Sequence, residues 1–278
     1  MSSQRIYSKE LIDWRRKQLL LGGRKHDLDW LLDLGGGLSW TNLQSLYLDE
    51  KRSYVIVKSL EELSRIWKTH LDENIPLQYL IGKCPWRDFE LEISPVSMIP
   101  RQETELLVDF AIDKFKNVLS GRWADLGTGS GALAIALARK FPLWEGFLVD
   151  ISQEALLLAR RNIENIAGDS NYSLHCGFWW EPLKPWWGSL NLVLANPPYI
   201  PESLLNKLDP IVIKNEPTLA LLGGEDGLDS CRDIISGAFE ALSPGGCLML
   251  EHHYDQSDSV LRLMNQSGLI RREFKKDL

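Results

Sequence analysis

Residues 190–199 read Leu-Asn-Leu-Val-Leu-Ala-Asn-Pro-Pro-Tyr. The apolar run Leu190–Ala195 has the length of a buried strand. The two prolines end it, because each removes a backbone N–H and fixes φ at about −65°, and the residue before a proline is pushed out of the α region. Asn196 is therefore predicted to be held at the strand's end with its amide facing a ligand, and Tyr199 adds a flat ring. The pattern is typical of a grip on a planar group that carries an NH2.

Strand-like and helical runs alternate along the chain from about residue 75. Apolar helical runs at 132–139 and 154–166 follow the first two buried strands. The predicted buried strands are Trp123–Leu126, Phe147–Asp150, Ser173–Gly177, Leu190–Ala195 and Gly246–Glu251, and a half-exposed hairpin strand is predicted at Phe89–Ile93. Strands that alternate with helices are typical of a parallel sheet covered by helices on both faces. The predicted fold class is therefore α/β.

A glycine-rich loop lies between the first buried strand and its helix. It consists of Gly127, Thr128, Gly129, Ser130 and Gly131. Glycines permit a tight turn and a close approach of the backbone to a ligand, but the G-x-G-x-G spacing differs from the G-x-G-x-x-G of dinucleotide sites. Asp125 precedes the loop and favours a cationic ligand, whereas Asp150 ends the second strand and either accepts both hydroxyls of a ribose or caps the next helix. With residues 196–199, this combination favours S-adenosylmethionine as cofactor.

Composition limits the classes of partner. The 278 residues carry a net charge of −7 and are 44% hydrophobic, which argues against a chain that binds nucleic acid chiefly through its phosphates. The four cysteines stand far apart, form no metal-ligand pair and suggest free thiols in a reducing cytosol. No apolar run reaches the roughly 18 residues of a membrane span, and the N-terminus resembles no signal peptide. A cytoplasmic protein without a metal or a membrane partner is predicted.

Residues 1–74 are predicted to form a small helical domain, and residues 75–278 the α/β domain. Ser8 is placed to cap a first helix that Gly22 ends, and residues 30–34 suggest a second, short helix. Ser59 opens a third helix with the spacing of a capping box. No strand alternation interrupts these segments. The small domain is either a structural cap or a docking surface for a partner.

Several stretches together resemble the release-factor glutamine N5-methyltransferases, a family of class I S-adenosylmethionine-dependent methyltransferases. Two of them read Pro-Leu-Gln-Tyr-Leu-Ile-Gly at 76–82 and Ile-Pro-Arg-Gln-Glu-Thr-Glu at 99–105. The others are the glycine loop at 127–131, the Asn-Pro-Pro-Tyr motif at 196–199, and residues 215–217 with 223–227. Asn-Pro-Pro-Tyr alone is shared with adenine methyltransferases, and the 99–105 segment makes the resemblance more specific. The family implies a Rossmann-like sheet and, for residues 1–74, a partner-binding role.

The resemblance implies roles for individual residues on the cofactor. Residues 127–131 would follow the methionine part and the ribose of S-adenosylmethionine, and Asp150 would hold the ribose hydroxyls. Trp179 matches the aromatic position beside the adenine, and Asn196 is also counted among the cofactor-binding residues. Phe178 departs from the family, which often has an acidic or small polar residue there, so a polar contact to the adenine amino group is not expected. Stacking is expected to substitute for it.

The resemblance also implies the acceptor, the glutamine in the Gly-Gly-Gln loop of class I peptide chain release factors. The side-chain oxygen of Asn196 and the carbonyl of Pro197 would accept the two amide hydrogens. Pro198 completes the stiff turn, and Tyr199 would pack on the amide plane and exclude water. In the 99–105 segment, Arg101 or Glu103 either contacts the cofactor or substrate loop or belongs only to the start of a helix. His252 and His253 are interpreted as strand-end residues rather than bases.

The C-terminus departs from the class I pattern, which ends in a strand hairpin. Residues Leu269–Lys275 fit the sixth strand, and the expected final strand is absent. Either this segment docks on the Gly246–Glu251 strand, or that edge of the sheet is exposed and prone to association.

Two other functions compete with this reading. An adenine-N6 methyltransferase of DNA or RNA would use the same Asn-Pro-Pro-Tyr grip, but it calls for a target-recognition domain or a basic surface. An inactive cofactor-binding remnant is the non-enzymatic alternative, against which the intact glycine loop, Asp150 and residues 196–199 speak. A dehydrogenase is disfavoured by the glycine spacing.

Overall fold

The structure is a computed structural model that describes residues 4–168 and 170–276. Contacts divide the chain into two units, Met1–Cys84 and Pro85–Leu278. The first unit thus ends beyond the predicted boundary at residue 74, because Leu77 belongs to its core. None of the helices in the described ranges is long and apolar enough to cross a membrane.

The first unit is mostly helical. Its elements are β1 (Gln4–Tyr7), α1 (Ser8–Leu20), α2 (Lys25–Trp30), α3 (Trp40–Ser45), β2 (Ser53–Ile56), α4 (Leu60–Glu73) and α5 (Leu77–Ile81). Each helix turns an apolar stripe inward, so that side chains such as Leu11, Leu28 and Trp67 are fully buried. The capping box before α4 is confirmed, since the Glu62 N–H donates to Ser59 Oγ and the Ser59 N–H donates to the Glu62 carboxylate.

Two details of the N-terminal prediction were wrong. β1 and β2 pair antiparallel, with Gln4 opposite Ile56, in a region expected to contain only helices. Each strand has four residues, too few for an alternation to be recognised, and their pairing depends on segments far apart in the chain. The pairing continues into the Ser8 N–H, which donates to Arg52 O at 2.8 Å. Ser8 therefore begins α1 as its first residue instead of capping it, and Tyr7 takes the cap position.

The second unit is built on a five-stranded parallel sheet. A two-stranded hairpin, β3 (Lys83–Trp86) and β4 (Phe89–Glu92), precedes it. The sheet strands are β5 (Arg122–Leu126), β6 (Glu145–Asp150), β7 (Tyr172–Cys176), β8 (Leu190–Ala195) and β9 (Leu242–Leu250). The helices are α6 (Glu105–Phe115), α7 (Ala132–Lys140), α8 (Gln153–Ala167), α9 (Pro210–Asn215), α10 (Asp229–Ala241) and α11 (Ser257–Gln266). The predicted α/β fold is confirmed.

The strand order places a switch point at the centre of the sheet. The order is β7-β6-β5-β8-β9, so the chain builds outward from β5 in one direction and then returns to its other side with β8. Asp125 is paired with Leu148 of β6 and Leu194 of β8. In open parallel sheets, ligands bind outside the carboxyl ends of the strands where the order reverses. The crevice above β5 and β8 is therefore where a ligand site is expected.

The predicted sixth strand does not form. Residues 269–276 pair with no strand in the described part of the chain, and β9 is the outermost strand there. Arg271 has a φ of 55°, in the left-handed region, which interrupts an extended run. Leu269 packs against the core while Ile270 is 80% exposed, and Lys275 lies over the ring of Phe110 on α6. The segment Leu269–Lys275 thus has a strand-like sequence without strand pairing, and its docking on β9 as a strand is ruled out.

Candidate active site

The site residues stand at the carboxyl ends of the parallel strands. Gly127–Gly131 follow β5, Asp150 ends β6 and Trp179 follows β7, and we call this group the cofactor side. Asn196–Tyr199 follow β8 and Glu251 follows β9; with Thr104 and Gln256 they form what we call the acceptor side. Because all five strands are parallel, these ends lie along one edge of the sheet.

The glycine loop adopts a backbone that requires glycine. Gly127, Gly129 and Gly131 have φ values of 76°, 54° and 87°, which side chains disfavour. The N–H groups of Gly127 and Thr128 both donate to Val149 O at 2.9 Å and tie the loop to β6. A Cβ on Gly131 would lie 3.2 Å from that of Ala159 on α8. The loop is therefore held close to both neighbours, with its backbone open towards a ligand.

Asp125 is buried under the loop and supports it. One carboxylate oxygen accepts from Thr128 Oγ1 at 2.7 Å and from the Ala134 N–H at 3.2 Å. The other oxygen, Oδ1, is buried without a hydrogen-bond partner in the described residues. Burial raises the pKa of Asp125 to about 7, against the effect of the two donors. A cationic ligand beside Oδ1 would favour the charged carboxylate.

Asp150 faces the loop rather than a helix end. Its Oδ2 accepts from the Gly129 N–H and its Oδ1 from the Ser152 N–H, both at 2.9 Å. Ser152 itself caps α8, because its hydroxyl accepts from the Ala155 N–H. The Ile151 N–H also interacts with the carboxylate, which offers about four acceptor positions, so that capacity for a ligand hydroxyl remains. Burial raises the pKa of Asp150 above its ordinary value.

Trp179 forms a wall of the cofactor side. A Cβ on Gly127 would lie 3.2 Å from the indole ring, so a larger residue at position 127 would crowd the ring. Trp179 has a φ of 41°, an uncommon conformation for a bulky residue. Its Nε1 is buried without a partner in the described part of the chain. The neighbouring Phe178 is half exposed, whereas Trp180 is a core residue whose Nε1 donates to Ile234 O at 2.9 Å.

A chain of hydrogen bonds holds Asn196. Its Nδ2 donates to Thr104 Oγ1 at 2.9 Å, and the Thr104 hydroxyl donates to Glu251 Oε2 at 2.7 Å. Tyr199 completes the network by donating from its hydroxyl to Glu251 Oε1 at 3.1 Å. Burial and the Glu251 carboxylate raise the pKa of the Tyr199 phenol, so it stays protonated. The Asn196 Oδ1 is buried and has no partner in the described ranges.

Gln256 fastens the segment after the motif. Its Nε2 lies 3.1–3.2 Å from the carbonyl oxygens of Tyr199, Asp226 and Gly227. A Cβ on Gly227 would lie 2.4 Å from Tyr199 O, and one on Gly223 would lie 2.7 Å from Pro198 O. The loop 223–227 therefore packs directly against the backbone of the Asn-Pro-Pro-Tyr motif, within which Pro197 is buried.

The charged residues of the 99–105 segment have different positions. Arg101 forms an ion pair of 2.7 Å with the buried Glu216 and so joins this segment to residues 215–217. Burial raises the pKa of Glu216, and Arg101 opposes the shift. Glu103 is exposed, and its charge also disfavours ionisation of Tyr199. Glu105 begins α6 and accepts from the Arg87 N–H at 3.2 Å.

The two histidines after β9 serve the local turn. His252 Nδ1 lies 2.9 Å from His253 O, and His253 Nδ1 lies 2.6 Å from Asp255 Oδ1. These contacts agree with the interpretation of His252 and His253 as strand-end residues. No group of acidic, histidine and cysteine side chains that could hold a metal ion is found in residues 4–168 and 170–276.

Sequence reasoning missed Thr104, Glu251 and Gln256 as site residues. Thr104 lies in the 99–105 segment, of which only the charged residues were considered as candidates for the site. Glu251 could have been found, because it follows a predicted strand as Asp150 and Asn196 do, at the edge where sites form. Gln256 gives no such indication, since its role depends on three carbonyls brought together by the fold.

The orphaned polar atoms fit S-adenosylmethionine. Asp125 Oδ1 is a buried acceptor, Trp179 Nε1 is a buried donor, and neither has a protein partner in the described residues. Buried polar groups in native proteins rarely stay unpaired. A ligand with cationic and polar groups, approached closely by a glycine backbone, would supply such partners. Asp150, with acceptor capacity remaining, suits a ribose.

Comparisons with known proteins agree with this geometry. Residues 102–207 match the family described as methyltransferase small domain. The crystal structure of a SAM-dependent methyltransferase from Agrobacterium tumefaciens has a TM-score of 0.50 at 14% identity, over 68% of this chain and 59% of that one, a likeness of fold alone.

Curated relatives are much more similar. A release factor glutamine methyltransferase from Prochlorococcus marinus is 56% identical, over 100% of this chain and 96% of its own. Proteins with the same description from Synechocystis and Gloeobacter violaceus are 37% and 39% identical, over 95% and 91% of this chain and 90% and 87% of theirs. The chain belongs to the release factor glutamine methyltransferase family, and it is a methyltransferase that uses S-adenosylmethionine.

Proposed function

We propose that this enzyme transfers the methyl group of S-adenosylmethionine to the side-chain amide nitrogen (N5) of the glutamine in the Gly-Gly-Gln loop of class I peptide chain release factors. The choice of a release-factor glutamine as the methyl acceptor rests on the name of the family. The observation that supports it in the structure is Asn196, whose Oδ1 is a buried acceptor without a partner in the described residues. An amide NH2 group is a donor of the kind that such an oxygen lacks.

The chemical difficulty lies in the nucleophile. An amide nitrogen shares its lone pair with the carbonyl, and no side chain of a protein is basic enough to deprotonate it first. Catalysis must therefore come from orientation and from electrostatic stabilisation of the transition state. In the proposed site, Asn196 Oδ1 and the carbonyl of Pro197 accept the two N–H bonds. Their pull returns electron density to nitrogen and directs its lone pair.

The transfer balances without a metal or an oxidant. When bound, S-adenosylmethionine would supply an electrophilic methyl group on a sulfonium, so that the bond from sulfur to this carbon would break as the N–CH3 bond formed, with the electron pair left on sulfur. The nitrogen then loses one proton to water. Tyr199 packs on the amide plane and excludes water during the transfer. Its pKa is raised by burial and by Glu251, so it takes no part as a base.

The cofactor side has the proposed task of holding S-adenosylmethionine. Gly127, Thr128, Gly129, Ser130 and Gly131 would follow its methionine part and ribose with their backbone. Asp150 would accept the ribose hydroxyls, and Trp179 would pack beside the adenine. The buried Asp125 carboxylate adds negative charge beneath the loop, which suits a cationic cofactor.

For the first unit we propose a role in binding the release factor. Several apolar side chains on it are exposed, among them Leu20 at 87% and Leu48 at 83%. Exposed apolar side chains mark a protein interface where they form a contiguous patch, and we propose that Leu48 belongs to such a surface. Leu48→Glu is expected to raise the KM for an intact release factor and to leave transfer to a short Gly-Gly-Gln peptide unchanged. An equal effect on both substrates would contradict this role.

One experiment tests the proposed function. The enzyme and labelled S-adenosylmethionine are incubated with a release factor, with its Gln→Ala loop variant, and with adenine-containing DNA and RNA. Label is expected on the intact release factor alone. Equal labelling of both release factors would defeat the glutamine assignment, and labelling of DNA or RNA would favour an adenine methyltransferase. No labelling at all would favour an inactive cofactor-binding protein.

A further inference from the structure

We propose that Thr104 and Glu251 are positioning residues that fix which way the Asn196 amide points, and that this direction makes the site choose glutamine over glutamate. The proposal rests on the proposed function, because it concerns the same acceptor. Neither residue is placed to react. Thr104 touches Asn196, and Glu251 acts through Thr104 and Tyr199.

The Thr104 hydroxyl has two neighbours but only one hydrogen. A threonine hydroxyl has one hydrogen to donate, and a carboxylate only accepts. The Thr104 hydroxyl lies 2.7 Å from Glu251 Oε2, so its hydrogen belongs to that bond. Toward Asn196 it can then only accept. The group of Asn196 at 2.9 Å from Thr104 must therefore be the NH2.

The hydrogen bond to Thr104 also sets the direction of the Asn196 side-chain oxygen. With the NH2 group of Asn196 directed at Thr104, Oδ1 points the opposite way, where it is buried without a partner in the described part of the chain. A flipped amide would set Oδ1 against a lone pair of Thr104 and lose the hydrogen bond. Side-chain amide orientation is assigned from such networks, and this network permits one orientation only. The carboxylate of Glu251 thus determines the orientation of the Asn196 side-chain amide through Thr104, without contacting Asn196 itself.

Tyr199 is oriented by the same carboxylate. Its hydroxyl donates to Glu251 Oε1 at 3.1 Å, while its backbone carbonyl is held by Gln256 Nε2. One oxygen of the Glu251 carboxylate therefore orients Asn196 through Thr104, and the other orients Tyr199. Asn196 and Tyr199 are the side chains proposed to flank the substrate glutamine. Loss of the charge at residue 251 would loosen both together.

Selectivity follows from the direction of Asn196. Glutamine brings an NH2 group, which satisfies Oδ1. A glutamate carboxylate has only acceptors to offer, so it would face Oδ1 with like partial charges and leave that oxygen unpaired. Sites built to hydrogen-bond one partner reject an analogue that leaves a buried group unpaired. If residue 251 could also donate, the threonine hydrogen could turn to Asn196 Oδ1, and the exposed NH2 of a flipped Asn196 would donate to a glutamate carboxylate.

The test uses Glu251→Gln, Thr104→Val and the conservative Thr104→Ser, with Glu240→Gln on the exposed end of α10 as the matched control. We expect kcat to fall about 10–100-fold in Glu251→Gln and Thr104→Val, the range seen when supporting hydrogen bonds are removed. The dissociation constant of S-adenosylmethionine should not change. Thr104→Ser and Glu240→Gln should keep wild-type kcat. A release factor with glutamate in place of the loop glutamine should compete better against Glu251→Gln than against the wild type.

A second measurement keeps the inference separate from the proposed function. The side-chain NH2 of Asn196 is followed by NMR, where one hydrogen should be protected in the wild type and in Thr104→Ser and unprotected in Thr104→Val. This readout needs no activity, so it decides the orientation even if the wild type methylates another acceptor. Unchanged kcat and unchanged glutamine-over-glutamate preference in both disruptive variants would overturn the proposal, as would an unprotected Asn196 NH2 in the wild type. If Glu251→Gln does not fold, the Thr104 pair decides alone.

Discussion

β8 and β9 are parallel neighbours in one sheet, and each delivers a side chain to the acceptor side. Their surroundings differ. β8 lies between β5 and β9, and its Leu192, Val193 and Leu194 are fully inaccessible to solvent. β9 is one of the two edge strands of the described sheet, and no residue along it is fully buried. It also contains a register irregularity, opposite Leu190 and Leu192.

The comparison shows that contact with the substrate and orientation of the contacting side chain are tasks of two strands with different surroundings. Asn196, which we propose to touch the substrate, extends from a strand with ladders on both sides, and such strands open only with much of the domain. Glu251, which we propose to steer Asn196, extends from a strand with one ladder. Glu251 acts on Asn196 only through Thr104. A small displacement of β9 would therefore change the hydrogen bond between Thr104 and Glu251 before it changed the position of Asn196.

The largest effect is expected at the inner strand. Asn196→Ala removes an acceptor of the substrate N–H and should lower kcat by about 100–1,000-fold, as removal of one transition-state hydrogen bond does. S-adenosylmethionine should bind to this variant normally in calorimetric titrations. Asn265→Ala, at an exposed position of α11, is the control. If Glu251→Gln proved more damaging than Asn196→Ala, the division between contacting and steering residues would be wrong.

Paired core truncations sharpen the comparison in terms of stability. Leu192→Ala in β8 should cost about 2–5 kcal/mol of unfolding free energy, because the side chain is fully buried and leaves a cavity. Leu248→Ala in β9, where the side chain is half buried, should cost about 1 kcal/mol. Urea denaturation of both variants measures the difference. Equal losses would show that the outer strand is packed as firmly as the inner one.

A pH effect is expected from the buried carboxylate on β5. Burial raises the pKa of Asp125 from 3.8 to about 7. Between these values the unfolded chain has released a proton that the folded chain keeps, so unfolding free energy should fall as pH rises through this window. Asp125→Asn can still accept from Thr128 and Ala134, and it should show a smaller fall from pH 5 to pH 8. An identical pH slope in both proteins would exclude Asp125 as its source. Asp150, whose pKa is also raised and whose charge helps to raise that of Asp125, is present in both proteins.

The smallest effect concerns backbone amides. The Glu251 N–H donates to Ala195 O at 3.0 Å, and successive N–H groups of a strand point to opposite sides. Those of Leu248 and Leu250 therefore point away from β8, and their hydrogen exchange should be about tenfold or more faster than that of Val193. Strong protection of both amides in a monomer would contradict an exposed edge. Protection that appears only at high concentration would indicate association through β9.

The sequence predicted the limits of β8 better than those of its neighbour β9 for a physical reason. An apolar run closed by two prolines set the limits of β8, which the structure reproduces at Leu190–Ala195. β9 begins at Leu242 instead of the predicted Gly246, because Pro244 and Gly245 disguise its irregular start. Leu269–Lys275 was predicted to be the sixth strand but pairs with no strand in the described part of the chain, because strand formation depends on the surroundings more than on the local sequence.

The same limit applies to the site. The glycine loop, Asp150 and Asn196 were predictable because each is a local pattern at a strand's end. The link from Thr104 to Glu251 spans 147 positions in the chain, so no local pattern announces it. A carboxylate after a strand was visible in the sequence, but the hydroxyl that it would orient was not.

The two sides of the site also differ in when they can be completed during synthesis. The contact between Gly129 and Asp150 spans 21 positions, and the cofactor side is fully synthesised once the ribosome has added Trp179. The acceptor side waits for Glu251 and for Gln256, which lies 57 positions after Tyr199. Contacts between residues far apart in the sequence close late in folding, and here all residues of the cofactor side are synthesised before those that we propose direct Asn196. A polypeptide halted before Glu251 therefore contains every residue of the cofactor side but lacks the carboxylate that we propose directs Asn196.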